Sequence, residues 1–215
     1  PAIMFKNSQC PVVIGPNRIQ AAKHLMENTD SNVILSDDGL QHFSLGRDIE
    51  ILMIDGNRKF GNELLLPAGP LREPKSRIKT VDFTISSNRK WPSVAKYEMK
   101  YRPFKWVHMK SQKEYDIFDW PLKKEVNAVA GIGNPSNFFN LLKQLGFDIS
   151  EYPFPDHHDF HSVDFEIMDN QPTVMTEKDA IKCSFLDHTN YWYLKIEAEV
   201  SDNFEQDFLA EIKSK

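Results

Sequence analysis

Two adjacent carboxylates, Asp37 and Asp38, follow the apolar run Val33-Ile34-Leu35 and lead into Gly39-Leu40-Gln41-His42. Val, Ile and Leu favour a strand and glycine breaks one, so the run predicts a buried strand ending in acids. Acids at the carboxyl end of such a strand point into the cleft where α/β proteins hold ligands. In nucleotide-hydrolysing proteins that position carries the acid that binds Mg²⁺, directly or through water. Asp-Gly is also a common turn dipeptide, and taken alone it favours two solvated carboxylates. The rest of the chain has to decide between the two.

Two other stretches have residue types suited to chemistry. Between Arg58 and Lys90 stand eight basic residues (Arg58, Lys59, Arg72, Lys75, Arg77, Lys79, Arg89, Lys90) against three acids (Glu63, Glu73, Asp82). This bias suits an anionic ligand such as a phosphate, or else a solvated face. Within it, Arg72 and Glu73 lie between prolines that stiffen the backbone. Further on, Asp156-His157-His158-Asp159 forms a turn dense in titratable groups, where a histidine beside a carboxylate suits a general base. Gly131-Ile132-Gly133 opens a helix but has Ser136 where a dinucleotide fingerprint has its third glycine, so it is a weak phosphate signal.

Composition bounds these readings. The 215 residues suffice for one large α/β domain or two small ones, and 40% apolar residues can build a core. A net charge of −5 argues against nucleic acid as the main partner. Cys10 and Cys183 make neither a metal-ligand spacing nor a disulfide framework, so they read as reduced thiols of a cytosolic protein. No apolar run is long enough to span a bilayer and no signal peptide is visible.

The elements that position these groups are predicted in chain order. Cys10–Gly15 reads as a short strand, Pro16 opens a helix with Ile19, Ala22 and Met26 on one face, and Val33–Leu35 is the acid-bearing strand. Ile49–Gly56 is a second strand ending in Asp-Gly, with its pairing direction open. Residues 57–80 read as a long functional loop, and Val81–Ser86 returns to strand. Alternation at Tyr97–Arg102 and Tyr115–Trp120 predicts an antiparallel ribbon over 88–125, linking a first lobe (1–87) to a second (126–215). The second lobe starts with strand Val126–Ala130. Asn134 and Pro135 then open a helix lined by Phe138, Leu141, Leu142 and Leu145 and stopped by Gly146. Thr173–Met175 is a strand, Thr176-Glu177-Lys178-Asp179 starts a short helix, Tyr191–Val200 is a strand, and Asp202 caps a closing helix.

Three motifs stand in order: Asp37-Asp38-Gly39-Leu40-Gln41-His42, Leu65-Leu66-Pro67-Ala68-Gly69-Pro70-Leu71-Arg72-Glu73-Pro74, and Met175-Thr176-Glu177-Lys178-Asp179-Ala180. With Phe60-Gly61-Asn62 and Phe154-Pro155-Asp156-His157-His158, the set resembles the tetraacyldisaccharide 4'-kinase (lipid A 4'-kinase) family from about Pro11 to the C-terminus. The resemblance implies an α/β chain: a P-loop-NTPase-like core lobe, incomplete here, and a smaller α/β lobe joined by a β-ribbon. It implies transfer of the γ-phosphoryl group of ATP to the 4'-hydroxyl of a tetraacyl glucosamine disaccharide 1-phosphate, at the cytoplasmic face of the bacterial inner membrane. By similarity, Asp37 and Asp38 are the acidic pair at the Mg²⁺-nucleotide site, with Asp37, Asp38 and His157 catalytic. Gln41 and His42 lie near the reacting groups, and Arg72 and Glu73 line the cleft. His157 matches a histidine that works with an aspartate to activate the sugar hydroxyl.

The departures are specific. None of the nine glycines is followed by Lys, so the phosphate-cradling Gly-x-x-x-x-Gly-Lys-Ser/Thr is absent. In the family that loop, a membrane-associating helix and the histidine's partner aspartate all precede the residues matched here. The expectation is a fragment that binds nucleotide weakly, its peripheral membrane association lying in the region not present. Leu40 stands where the family often has Phe. Competing readings are a Mg²⁺-dependent phosphatase or nucleotidase using Asp37 and Asp38, and a non-catalytic phosphosugar- or lipid-binding domain.

Overall fold

The computed structural model describes residues 2–168, 170–186 and 190–215. In chain order its helices are α1 (Ala2–Ser8), α2 (Arg18–Asn28), α3 (Pro135–Gln144), α4 (Glu177–Lys182) and α5 (Asn203–Ser214). Its strands are β1 (Ile51–Asp55), β2 (Phe83–Ser87), β3 (Tyr97–His108), β4 (Glu114–Asp116), β5 (Glu125–Ala130), β6 (Asp148–Pro153), β7 (Thr173–Thr176) and β8 (Tyr191–Val200). Two compact units divide the chain. One comprises residues 8–101 and 198–215, the other residues 2–7 and 102–197, so β3 and β8 carry the chain from one to the other.

In the first unit β1 pairs parallel with β2, and β2 parallel with the start of β3, through Ile85 with Tyr97. Phe83, Ile85, Tyr97 and Met99 are buried, and Phe204 and Phe208 of α5 close over them with edge-on ring contacts. The closing helix forms as predicted, although Asp202 has helical backbone angles and makes no side-chain cap.

Two predicted strands are not strands here. Residues 10–15 and 33–35 lie outside any ladder, and Val33, Ile34 and Leu35 are exposed. β propensity describes a residue that fits a sheet, but a strand exists only where a neighbour supplies the ladder. Among the described residues β1 pairs with β2 alone. Helix α2 begins at Arg18 rather than Pro16, because Asn17 Oδ1 accepts the Gln20 N–H at 3.1 Å and fixes the helix start two residues later.

The second unit orders its strands β3-β8-β7-β5-β6, with β4 on β3. β5, β6, β7 and β8 run parallel, and β5 is buried on both faces, as its unbroken small apolar sequence implies. Phe138, Phe139 and Leu142 of α3 pack with Val126, Ala128 and Ala130, while Met175, Ala180 and Cys183 gather with Val129. The ribbon is present but short: Lys105, Trp106 and Val107 face Asp116, Tyr115 and Glu114. The alternation at Tyr97–Arg102 belongs instead to the half of β3 that starts beside β2. Cys183 is buried and free, its thiol pushed up to about 12 by loss of hydration and by nearby Asp179.

Candidate functional site

The acidic pair occupies a turn, not a strand end. Asp38 has φ +48°, the left-handed region that aspartate tolerates better than most residues. The His42 N–H closes the turn on the Gly39 carbonyl at 3.0 Å. Asp37 is exposed, and neither its carboxylate nor the half-buried His42 ring has a partner among the described residues.

Residues 57–74 are a loop braced by its own hydrogen bonds, while Lys75–Thr80, predicted as part of that loop, form a short 3₁₀ helix. Asn62 Oδ1 accepts the Leu64 N–H at 3.2 Å and its Nδ2 donates to the Ala68 carbonyl at 2.9 Å. Leu66 and Leu71 close the Pro-Gly turn with backbone bonds of 2.8 and 3.1 Å. Gly69 permits this closure: a Cβ there would lie 2.2 Å from Asn62 Oδ1 and 2.4 Å from the Leu64 carbonyl oxygen. The loop delivers Arg72 and Glu73 to the acidic turn.

Arg72 Nη1 donates to both Asp38 carboxylate oxygens, at 3.0 and 2.9 Å, and to Gln41 Oε1 at 3.2 Å. Gln41 Nε2 donates to Glu73 Oε1 at 2.7 Å, so both ends of this amide are used. Four of the predicted residues, Asp38, Gln41, Arg72 and Glu73, are thus brought into direct contact. Three residues that motif reading missed continue the chain of contacts. Arg77 bridges Glu73, at 3.1 Å, and Glu50, and Glu50 also accepts from Arg47 at 2.9 Å. Arg47 Nη1 returns to the Gly39 and Leu40 carbonyls, both at 2.9 Å. Sequence spacing carries no signal for such a set; only the run of cations around Arg72 hinted at it.

His157 belongs to the other unit. It is exposed, with φ +61°, and its Nε2 lies 3.9 Å from Asp156 Oδ2, too far for a hydrogen bond. Asp156 therefore does not hold the ring. It accepts the His157 backbone N–H at 3.0 Å and pairs with Lys178 at 3.4 Å. Partial loss of hydration pushes the Asp156 carboxyl up, but Lys178 and His157 together outweigh it and leave it below the usual range. The ring that a carboxylate does orient is His158, 3.0 Å from Asp164 and packed against Phe154 and Phe160.

The glycine loop after β5 is committed to structure. The Gly131 N–H donates to the fully buried Asp179 Oδ2 at 2.9 Å, which Thr176 Oγ1 also reaches at 2.7 Å. A carboxylate in the loop leaves it unsuited to a phosphate. Among the described residues, no group of three or more His, Cys, Asp or Glu is placed to hold a metal ion. Mg²⁺ needs no such cage, since it keeps waters and takes one or two carboxylates with substrate phosphates, and the exposed Asp37–Asp38 pair fits that demand.

Parallel strands with helices, and Asp38 held by Arg72 of the proline-rich loop, belong to an α/β protein whose fold matches that of a P-loop kinase. The structure is similar to that of LpxK from Aquifex aeolicus solved in complex with ATP, with TM-score 0.71 and 26% identity, over 90% of this chain and 61% of that one. The Tetraacyldisaccharide-1-P 4'-kinase family pattern matches residues 1–213. The chain belongs to that family. It is 45% identical over 206 residues to the tetraacyldisaccharide 4'-kinase of Nitrosococcus oceani, covering 94% of this chain and 59% of that protein. The Legionella pneumophila (strain Corby) relative of the same name is 45% identical over 210 residues, covering 97% and 63%. The chain thus spans 59 to 63% of the length of these relatives.

Proposed function

We propose that this chain carries the acidic side of a kinase site. That kinase transfers the γ-phosphoryl group of ATP to the 4'-hydroxyl of a tetraacyl glucosamine disaccharide 1-phosphate in lipid A biosynthesis. The observation that carries the reading is the contact of Asp38 with Arg72 and, through Gln41, with Glu73. Phosphoryl transfer has little covalent work for a protein to do and depends on fixed charges and positioning. Asp37 and Asp38 would hold Mg²⁺, which when bound neutralises phosphate charge. Arg72 keeps its Nη1 bonds to Asp38 and offers its other guanidinium N–H groups to the phosphates. Gln41, itself fixed by Glu73, holds Arg72 in place, His42 lines the same turn, and His157 accepts the proton of the sugar hydroxyl. The family resemblance supports a reaction at the cytoplasmic face of the inner membrane, where an acylated acceptor can meet aqueous ATP.

No glycine here is followed by lysine, so these residues do not supply a Gly-Lys-Ser/Thr phosphate cradle. The test therefore joins the chain to the unmatched residues of the Nitrosococcus oceani relative. It supplies Mg²⁺, γ-labelled ATP and the disaccharide 1-phosphate. Label is expected on the lipid, falling at least about 100-fold in Asp38→Asn and in Arg72→Ala, with feeble transfer by the 215 residues alone. Label appearing only as inorganic phosphate would indicate a phosphatase and overturn the reading, as would an undiminished Asp38→Asn.

A further inference from the structure

We propose that Arg77 and Arg47, joined through Glu50, are positioning residues that hold the Asp38–His42 turn and Arg72 in register. The inference rests on the functional reading above and extends it to residues in none of the motifs.

The contacts form a closed circuit. From the Gly39 and Leu40 carbonyls it passes to Arg47, Glu50, Arg77, Glu73, Gln41, Arg72 and Asp38, and the backbone from Asp38 to Gly39 completes it. Its two halves differ in exposure. The Asp38 and Arg72 side chains are 69% and 57% exposed, and an ion pair that open to water is screened and fixes little by itself. Arg77, Glu50 and Glu73 are 23%, 13% and 17% exposed, so water competes less for their contacts. Arg77 is raised above its ordinary value chiefly by its hydrogen bond to Glu50, against a smaller effect of burial.

The less exposed half is also anchored. The Glu50 N–H donates to Asp82 Oδ2 at 2.8 Å, and the Glu50 carbonyl accepts the Asp82 and Phe83 N–H groups at 3.1 and 3.0 Å. Glu50 is thereby tied to the start of β2 and its buried Phe83. From that fixed point the two arginines reach opposite ends of the site. Arg47 holds the backbone immediately after the left-handed Asp38, and Arg77 holds Glu73, which holds Gln41, whose Oε1 accepts from Arg72. Bridging two carboxylates needs the planar fork of arginine; lysine offers a single point of charge.

Two measurements test this. In the 215-residue chain, amide exchange read by mass spectrometry should accelerate about tenfold or more at residues 39–45 in Arg77→Met and Arg47→Met, with β1 and β2 unchanged. In the chain completed as above, each variant should lower kcat about tenfold with KM for the disaccharide held within about twofold. The double variant should be no worse than the poorer single, because a circuit opens only once. Arg77→Lys should not restore the rate. Unchanged exchange at 39–45, multiplied losses in the double variant, or rescue by lysine would overturn the proposal. If Arg77→Met does not fold, Glu50→Gln, which keeps the shape and removes the charge, decides by the same readouts. If the completed wild type transfers nothing, the functional reading fails while the exchange measurement still judges the circuit.

Discussion

His157 and His158 are adjacent, yet their surroundings differ. His158 Nε2 donates to Asp164 at 3.0 Å between two phenylalanine rings, and Asp164 also accepts the His161 backbone N–H at 2.9 Å. That backbone bond is the main reason Asp164 lies below the ordinary 3.8; burial opposes it and His158 reinforces it. A carboxyl whose folded value is depressed adds stability that is full above its ordinary range and vanishes as pH falls through the folded value. Asp164→Asn should therefore cost about 1–2 kcal/mol near neutrality and flatten the acid limb of stability below pH 3.8, read by denaturant melts across pH. His157, with 76% of its side chain exposed, has no such duty. His157→Ala should leave the melting curve in place and lower kcat of the completed enzyme by about 100-fold or more, the loss typical of a missing general base.

At the scale of elements, short-range chemistry was legible and long-range chemistry was not. Thr176 caps α4 as its sequence implies, accepting the Asp179 N–H at 3.2 Å. What no local pattern announces is that the Asp179 carboxylate reaches back to Gly131, so the α4 start and the loop after β5 are one device. Asp179→Ala strands the Gly131 N–H in a buried site and should cost about 2–4 kcal/mol by chemical denaturation. Thr176→Val, which loses mainly the cap, should cost about 1 kcal/mol. The same division explains the acidic turn. Asp38, Gln41, Arg72 and Glu73 stand in motifs, whereas Arg47, Glu50 and Arg77 are ordinary charged residues until the fold aligns them. Residues 33–35 show the converse, since their apolar run gives β propensity but not the partner a ladder needs.

The whole molecule alternates its two units along the chain. The α/β class, the order of most elements and the acidic pair itself were visible from composition and motif, though the apolar run before the pair predicts a strand end and the pair lies in a turn. The return of residues 198–215 to the first unit was not, because a closing helix carries no label saying which core it covers. Phe204 and Phe208 of that helix lie on Phe83, and Asp207 accepts hydrogen bonds from Lys96, at 2.7 Å, and from Tyr97. This placement sets an order of birth. On the ribosome, residues 8–101 appear first but lack the helix that covers Phe83 and Tyr97, while residues 102–197 follow with their core complete. Nascent chains arrested with residues 198–215 still inside the ribosome should yield a protease-resistant fragment near 102–197 and none from 8–101. Resistance of the earlier segment would mean its core closes without its last helix. Of these two stretches, the one made earlier would thus close its core later, once Phe204 and Phe208 have emerged to cover Phe83.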